Sequence, residues 1–275
     1  MAMIFGHRGA RGEYPENTTE GFLYAASLGI YGIEMDVCIT ADKKVVVSHE
    51  SWMNPAICIK PDKSRISFLR RKNLYRMNYE TIRLYDCGIK GNRAFPRQRK
   101  MHSCKPLLGK VIQDTEDYIL ANRLKPLVYL IEIKSKKISD KLLHPPPAEF
   151  MQLVMQELMP FGIQNRIIIQ SFDMRPLKII RRSYPAFGTG MLVYSPRIIN
   201  RRLKTLGFVP DTCGVNYKYL TEKWIDRIHA AGMKALAWTV NEKADIEHQL
   251  RLGADGIISD YPETAKYEAQ RFTAA

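Results

Sequence analysis

The sequence predicts an α/β fold: a closed (β/α)8 TIM barrel with an insertion after its second strand. Three observations carry that expectation. Short apolar runs recur along the chain with amphipathic segments between them. The runs are apolar on both faces, as strands covered by helices must be, which implies a parallel sheet. They number eight, the count that closes a barrel, and no GxGxxG or P-loop pattern supports a nucleotide-binding open sheet instead.

The first run covers residues 3–6, and Pro15-Glu16-Asn17-Thr18 opens a helix-like stretch. The second is 33–37, extended by the apolar run 45–49. From Leu127 the alternation becomes regular. A strand at 127–134 precedes a helix at 148–160 in which Phe150, Leu153, Val154 and Leu158 recur at helical spacing. Strands at 166–172 and 187–194 are followed by helices at 174–183 and 196–206. A brief apolar run at 213–216 leads to a helix at 221–231, with Thr221 as its N-cap and Gly232 just past its end. A strand at 234–240, a helix at 242–252, a strand at 255–259 and a last helix after Tyr261-Pro262, fraying over 273–275, complete the series.

Residues 50–110 interrupt this order. They carry three of the five cysteines and the turn signals Asn54-Pro55 and Lys60-Pro61-Asp62. Their place in the chain predicts an insertion over the barrel mouth, the face on which barrel active sites sit. Residues 1–275 are otherwise expected to form a single catalytic barrel domain.

The 45% apolar and 10% aromatic content suit a globule with a sizeable core. No run approaches the ~20 apolar residues of a membrane span, and no signal-peptide pattern opens the chain. The net charge is +14, and residues 60–110 alone hold fifteen Lys and Arg against three Asp and Glu. Such a block concentrates anionic substrates or makes weak contact with anionic membranes. It contains no nucleic-acid-binding motif, so nucleic acid is not an expected partner. The cysteines at 38, 58, 87, 104 and 213 include no CxxC pair, and their odd number argues against a disulfide framework. The chain is therefore read as reduced and cytoplasmic, or as periplasmic or exported if a leader has been removed. The oligomeric state has no sequence signal.

The chemistry lies in polar residues at strand ends. Glu34 and Asp36 are two apart, so on a strand they share one face. Ile33, Met35 and Val37 supply the apolar face for the helices, which turns the acids toward the barrel interior. Glu132 repeats the pattern between Ile131 and Ile133, with Lys134 on its own face. Three carboxylates at adjacent strand ends make an all-oxygen site suited to Ca²⁺ or Mg²⁺. The alternative is a set of buried ion pairs, Glu132–Lys134 and Asp36–Arg8. His7 and His49 are the two histidines at strand ends near these acids and could exchange protons in acid–base chemistry. Arg8 offers a planar fork, and Lys134 a point charge, for a phosphate oxygen. Metal, cations and two histidines together fit phosphodiester cleavage.

These motifs resemble the glycerophosphodiester phosphodiesterase family. They are His7-Arg8-Gly9, Pro15-Glu16-Asn17-Thr18, Gly32-Ile33-Glu34-Met35-Asp36-Val37, Ser48-His49 and Ile131-Glu132-Ile133-Lys134, followed by Trp238-Thr239-Val240-Asn241 and the run 255–262. The resemblance implies a (β/α)8 barrel that splits glycerophosphodiesters into glycerol 3-phosphate and an alcohol. It implies that Glu34, Asp36 and Glu132 hold a divalent cation, that His7 and His49 are the acid–base pair, and that Arg8 and Lys134 contact phosphate. Trp238 and Phe172 are candidates for the pocket wall, with core packing as the alternative for Trp238. Asn17 either bonds near the phosphate or helps cap the first helix. Departures from the family pattern occur at 40–43 and after His49, outside this set. Two rival functions stay open: a lysophospholipase D-like enzyme, in which Trp52, Phe68, Leu69 and Phe95 meet lipid, and a non-catalytic phosphate-binding barrel.

Overall fold

The computed structural model describes residues 2–69 and 71–274; Arg70, one of the cations of the basic insertion, and Ala275, where fraying was expected, lie outside the described residues. The first strand, β1 (Met3–Gly6), is followed by α1 (Thr19–Ser27), β2 (Gly32–Ile39) and β3 (Val45–Val47). Then come α2 (Tyr79–Ile82), α3 (Leu108–Ala121), β4 (Val128–Ile133), α4 (Pro147–Leu158), β5 (Ile167–Ser171), α5 (Met174–Ser183) and β6 (Gly188–Val193). The chain ends through α6 (Ile199–Leu206), β7 (Thr212–Asn216), α7 (Glu222–Ala230), β8 (Lys234–Trp238), α8 (Lys243–Arg251), β9 (Gly256–Ser259) and α9 (Pro262–Ala274). The last helix runs through Thr273, where fraying was expected.

Eight strands pair in parallel, and the β1–β2 pairing closes the ring. The ninth, β3, pairs antiparallel with β2 and is the apolar extension foreseen beside it. Residues 108–121 form the helix of the second strand–helix unit, which the sequence reading left unassigned. Its start has no side-chain cap, so the usual N-terminal signal was missing.

Alternation along the strands builds two layers inside the barrel. Ile33, Met35 and Val37 face outward into the main core under the helices. Inside, Phe5, Leu130, Leu236 and Ile258 form a separate apolar plug. Glu132 lies two residues beyond Leu130 on the same face, and it sits in register with Asp36 on one side and Gln170 on the other. The polar layer therefore rests directly on the plug, toward the C-terminal strand ends.

The insertion leaves the barrel after β3 and has its own small core of Val46, Met53, Ile57, Ile66, Leu74 and Ile82. Cys58 and Cys87 are joined in a disulfide inside it, which corrects the reading of a fully reduced chain, while Cys38, Cys104 and Cys213 are free. The sequence hid the pair because its 29-residue separation matches no spacing signature. The insertion returns to the barrel through Gln98, whose Nε2 donates to the carbonyls of Arg11 (2.8 Å) and Tyr14 (3.0 Å). Among the described residues, no helix is long and apolar enough to cross a membrane.

The plug carries the polar layer, so truncating it should be costly. Leu130→Ala is expected to lower unfolding free energy by about 2–5 kcal/mol in urea titrations; a loss near zero would mean that the interior is not packed as described.

Candidate active site

The first turn after β1 is where the site begins. A Cβ at Gly6 would sit 2.0 Å from the Gly9 carbonyl oxygen, so only glycine permits this close return of the chain. Gly9 itself has φ +88°, and Arg8 between them has φ 50°. That turn points His7 and Arg8 inward while the Arg8 amide N–H donates to Glu34 Oε2 at 3.0 Å. Asn17, also left-handed at φ 55°, donates from Nδ2 to Asp36 Oδ2 at 3.0 Å. Non-glycine residues in this region are costly and tend to occur where the surroundings hold a functional geometry.

Glu34, Asp36 and Glu132 meet as the alternation predicted: one oxygen from each lies within 4.8 Å of the others, and all three are buried. Their partners differ. Lys134 Nζ donates to Glu132 Oε1 at 2.8 Å and lies 3.5 Å from Asp36 Oδ1. Arg8 bonds Glu16 at 2.8 Å and stands 3.4 Å from Asp36 Oδ2 through Nε, an atom with no hydrogen-bond partner. Among the described residues, Glu34 receives only neutral donors, the Arg8 amide and Gln170 Nε2 at 3.5 Å. Both expected ion pairs exist, yet their two cations face three carboxylates, and Arg8 is shared with Glu16 as well.

The electrostatics follow from these partners. Burial, then the neighbouring Asp36 and Glu132, raise the Glu34 pKa well above the usual carboxylate range. Burial also raises Glu132, against the attraction of Lys134. Burial acts on Asp36 too, but Lys134, His49, Arg8 and the Asn17 amide together hold its pKa low. Lys134 is raised because Glu132 and Asp36 outweigh its own burial. A cation is what such a donor set lacks.

His7 and His49 flank the acids. His7 Nδ1 lies 2.6 Å from Asp260 Oδ1, and its Nε2 lies 3.9 Å from Glu34 Oε2. Burial lowers the His7 pKa to about 4 despite Asp260, so its imidazole is neutral at pH 7. His49 Nδ1 lies 3.0 Å from Glu50 Oε1, which is lowered to about 2: its burial is outweighed by His49, Lys105 and Arg8.

One cavity of about 180 Å³ collects nine of the ten expected residues: His7, Arg8, Glu34, Asp36, His49, Glu132, Lys134, Phe172 and Trp238. The tenth, Asn17, sits behind Asp36 and orients that carboxylate, while Thr18 caps α1. Trp238 stands between the cavity and the core. It lines the cavity at 5.7 Å from the Phe172 ring, edge to face, and rests on the apolar plug. Arg11 and Gln170 also line the cavity, and Asp260 stands behind His7. None of these three was assigned a role from the sequence. Gln170 and Asp260 carried the strand-end signal that marked the other acids and histidines, whereas Arg11, in the loop after β1, carried none.

Comparison with known proteins places the chain in a family. The model of the Glycerophosphoryl diester phosphodiesterase family matches residues 7–264. A glycerophosphodiester phosphodiesterase from Caldanaerobacter subterraneus subsp. tengcongensis is 28% identical over 95% of this chain and 95% of its own. A structure assigned as a glycerophosphoryl diester phosphodiesterase, from Silicibacter pomeroyi DSS-3, has a TM-score of 0.88 at 27% identity, covering 98% of this chain and 94% of that one. A phosphodiesterase from Oleispira antarctica, solved with the product sn-glycerol-3-phosphate, shares the fold with a TM-score of 0.78 at 20% identity, covering 98% and 96%. This chain belongs to the glycerophosphoryl diester phosphodiesterase family and is a phosphoric diester hydrolase.

Proposed function

We propose that the chain hydrolyses glycerophosphodiesters to glycerol 3-phosphate and an alcohol, with a divalent cation held by Glu34, Asp36 and Glu132. The observation that carries this reading is the buried carboxylate cluster, one cation short, beside two histidines in a single cavity. The glycerol 3-phosphate bound to the Oleispira enzyme supports the substrate class. When bound, Ca²⁺ or Mg²⁺ would supply Lewis-acid stabilisation of charge developing on a phosphate oxygen.

The chain's own residues supply the rest. Arg8 and Lys134 line the cavity as cations for the phosphate. Neutral His7 takes the proton from the glycerol hydroxyl next to the phosphate. That oxygen attacks phosphorus, and the bond from phosphorus to the alcohol oxygen breaks. His49, at the more open side, gives its proton to the departing alcohol. Water then opens the cyclic phosphate with the two roles exchanged. Phe172, Leu192 and Trp238 form an apolar wall on which the glycerol carbons can rest while water is kept out.

Release of glycerol 3-phosphate from glycerophosphocholine tests the reaction; a folded sample that releases none with either cation contradicts it. His7→Ala and His49→Ala are each expected to lower kcat by about 10²- to 10⁴-fold with circular dichroism unchanged. Turnover near wild type in either variant would remove that histidine from the mechanism. Glu132→Gln is expected to raise the cation concentration for half-activation about tenfold or more; an unchanged activation curve would exclude it as a ligand.

One observation favours a second reading, a lysophospholipase D-like action at lipid surfaces. Phe68 and Leu69 are 61% and 97% exposed on the insertion, beside exposed Arg65, Arg71 and Lys72. Apolar tips among cations suit the surface of an anionic bilayer. Co-sedimentation with phosphatidylglycerol vesicles at low salt should capture the protein and lose it in Phe68→Ser/Leu69→Ser; no capture of wild type would remove the lipid reading.

A further inference from the structure

Asp260 follows β9 and is 1% exposed, yet its two oxygens meet three side chains besides bulk packing. Oδ1 lies 2.6 Å from His7 Nδ1 and accepts from Arg11 Nε at 2.8 Å. Oδ2 accepts from Arg11 Nη2 at 3.0 Å and from Asn241 Nδ2 at 2.8 Å. The Asn241 amide is itself fixed, because its Oδ1 accepts from the Asp260 amide at 2.9 Å and from Ser259 Oγ at 3.2 Å. Asp260 is thus gripped from three directions and can turn in none. Its burial is outweighed by His7 and Arg11, which hold its pKa well below the usual carboxylate range. An ionised carboxylate only accepts hydrogen bonds. With Asp260, itself paired to Arg11, facing Nδ1 at 2.6 Å, a single ring proton on His7 sits on Nδ1 and the lone pair on Nε2, the nitrogen on the Glu34 side of the ring.

The grip on Asp260 reaches outward into the insertion. The Arg11 guanidinium lies 4.6 Å from the centre of the half-buried Phe95 ring, and Gln98 holds the Arg11 carbonyl at 2.8 Å. Arg97 and Arg99 of the same segment stand over Tyr261 and Tyr14 at 4.4 and 4.9 Å, so the segment is clamped to the loops on both sides of His7. We propose that Asp260 is the positioning residue that sets the His7 tautomer, and that Phe95 of the insertion holds Asp260 in place through Arg11. The insertion then acts on the proton-transfer step, although none of its described residues lines the cavity. This rests on the reading of His7 as the base, and its test has a readout that does not require turnover.

That readout is the long-range ¹H–¹⁵N NMR spectrum of the full chain, labelled with ¹⁵N-histidine, in Mg²⁺ buffer at neutral pH. Wild type is expected to show His7 as a single Nδ1–H tautomer, and Asp260→Asn to lose that form. In kinetics with glycerophosphocholine, Asp260→Asn is expected to lower kcat by up to about 10⁴-fold, the loss seen when a base is left in the wrong tautomer. KM should stay within about threefold, because positioning acts on the transition state more than on ground-state binding. Phe95→Ala should lower kcat about two- to fivefold, and Phe95→Tyr, which keeps a ring for Arg11, should restore it. Should Asp260→Asn fail to fold, the two Phe95 variants carry the test at the protein surface. An unchanged tautomer in folded Asp260→Asn overturns the proposal, and so does a kcat loss in Phe95→Ala that Phe95→Tyr leaves unrestored. If wild type proves inactive while its tautomer still depends on Asp260, the positioning stands and the reading of the reaction falls.

Discussion

Three carboxylates, none more than 9% exposed, are brought together along one cavity with too few cations to neutralise them. At an effective dielectric near 20, two ionised oxygens within 4.8 Å repel by roughly 3 kcal/mol. That exceeds the ~1 kcal/mol net value of a hydrogen bond from a neutral donor, so the Arg8 amide and Gln170 cannot offset it at Glu34. A proton or a metal ion must do so. The rest of the site is arranged around that deficit: Lys134 between Glu132 and Asp36, Arg8 between Glu16 and Asp36, and Asn17 behind Asp36.

The barrel makes this possible by dividing its interior. The plug of Phe5, Leu130, Leu236 and Ile258 excludes water from below. Above it, Asp36, Glu132 and Gln170 stand side by side in the parallel register, and Glu34, level with Leu130 and two residues before Asp36, meets them from the same face of its strand. The insertion packs beside the loop that carries His7 and Arg8. It has its own small core and a disulfide, and it reaches back to the loop after β1 at Gln98 and Arg99. Scaffold and chemistry are thus separated by a single step of strand alternation.

Much of this was legible in the sequence, because alternation is a physical rule. Acids at 34, 36 and 132 among Ile and Met could face only the interior, and all three do. Strands such as β5 and β6 announced themselves by apolar runs. What stayed hidden was tertiary. The helix α3 lacks a side-chain cap and follows an irregular stretch, so nothing marked its start. The Cys58–Cys87 pair depends on how the insertion folds. Arg11 lies in a loop after β1, and only the folded chain shows it between Phe95 and Asp260. Asp260 could have been noticed as an acid at a strand end, but its partnership with His7 spans 253 residues of sequence.

The claim that the carboxylate cluster is one cation short is tested most directly by thermal unfolding in EDTA and with added Ca²⁺ or Mg²⁺. If it is right, either cation raises Tm of the wild type. The isosteric Glu34→Gln, which needs neither a proton nor a cation to neutralise it, then melts above the wild type in EDTA at neutral pH and loses most of the cation-induced rise. A wild-type Tm indifferent to both cations, with Glu34→Gln melting below it in EDTA, would show that the acids are satisfied by their protein partners and would contradict the account.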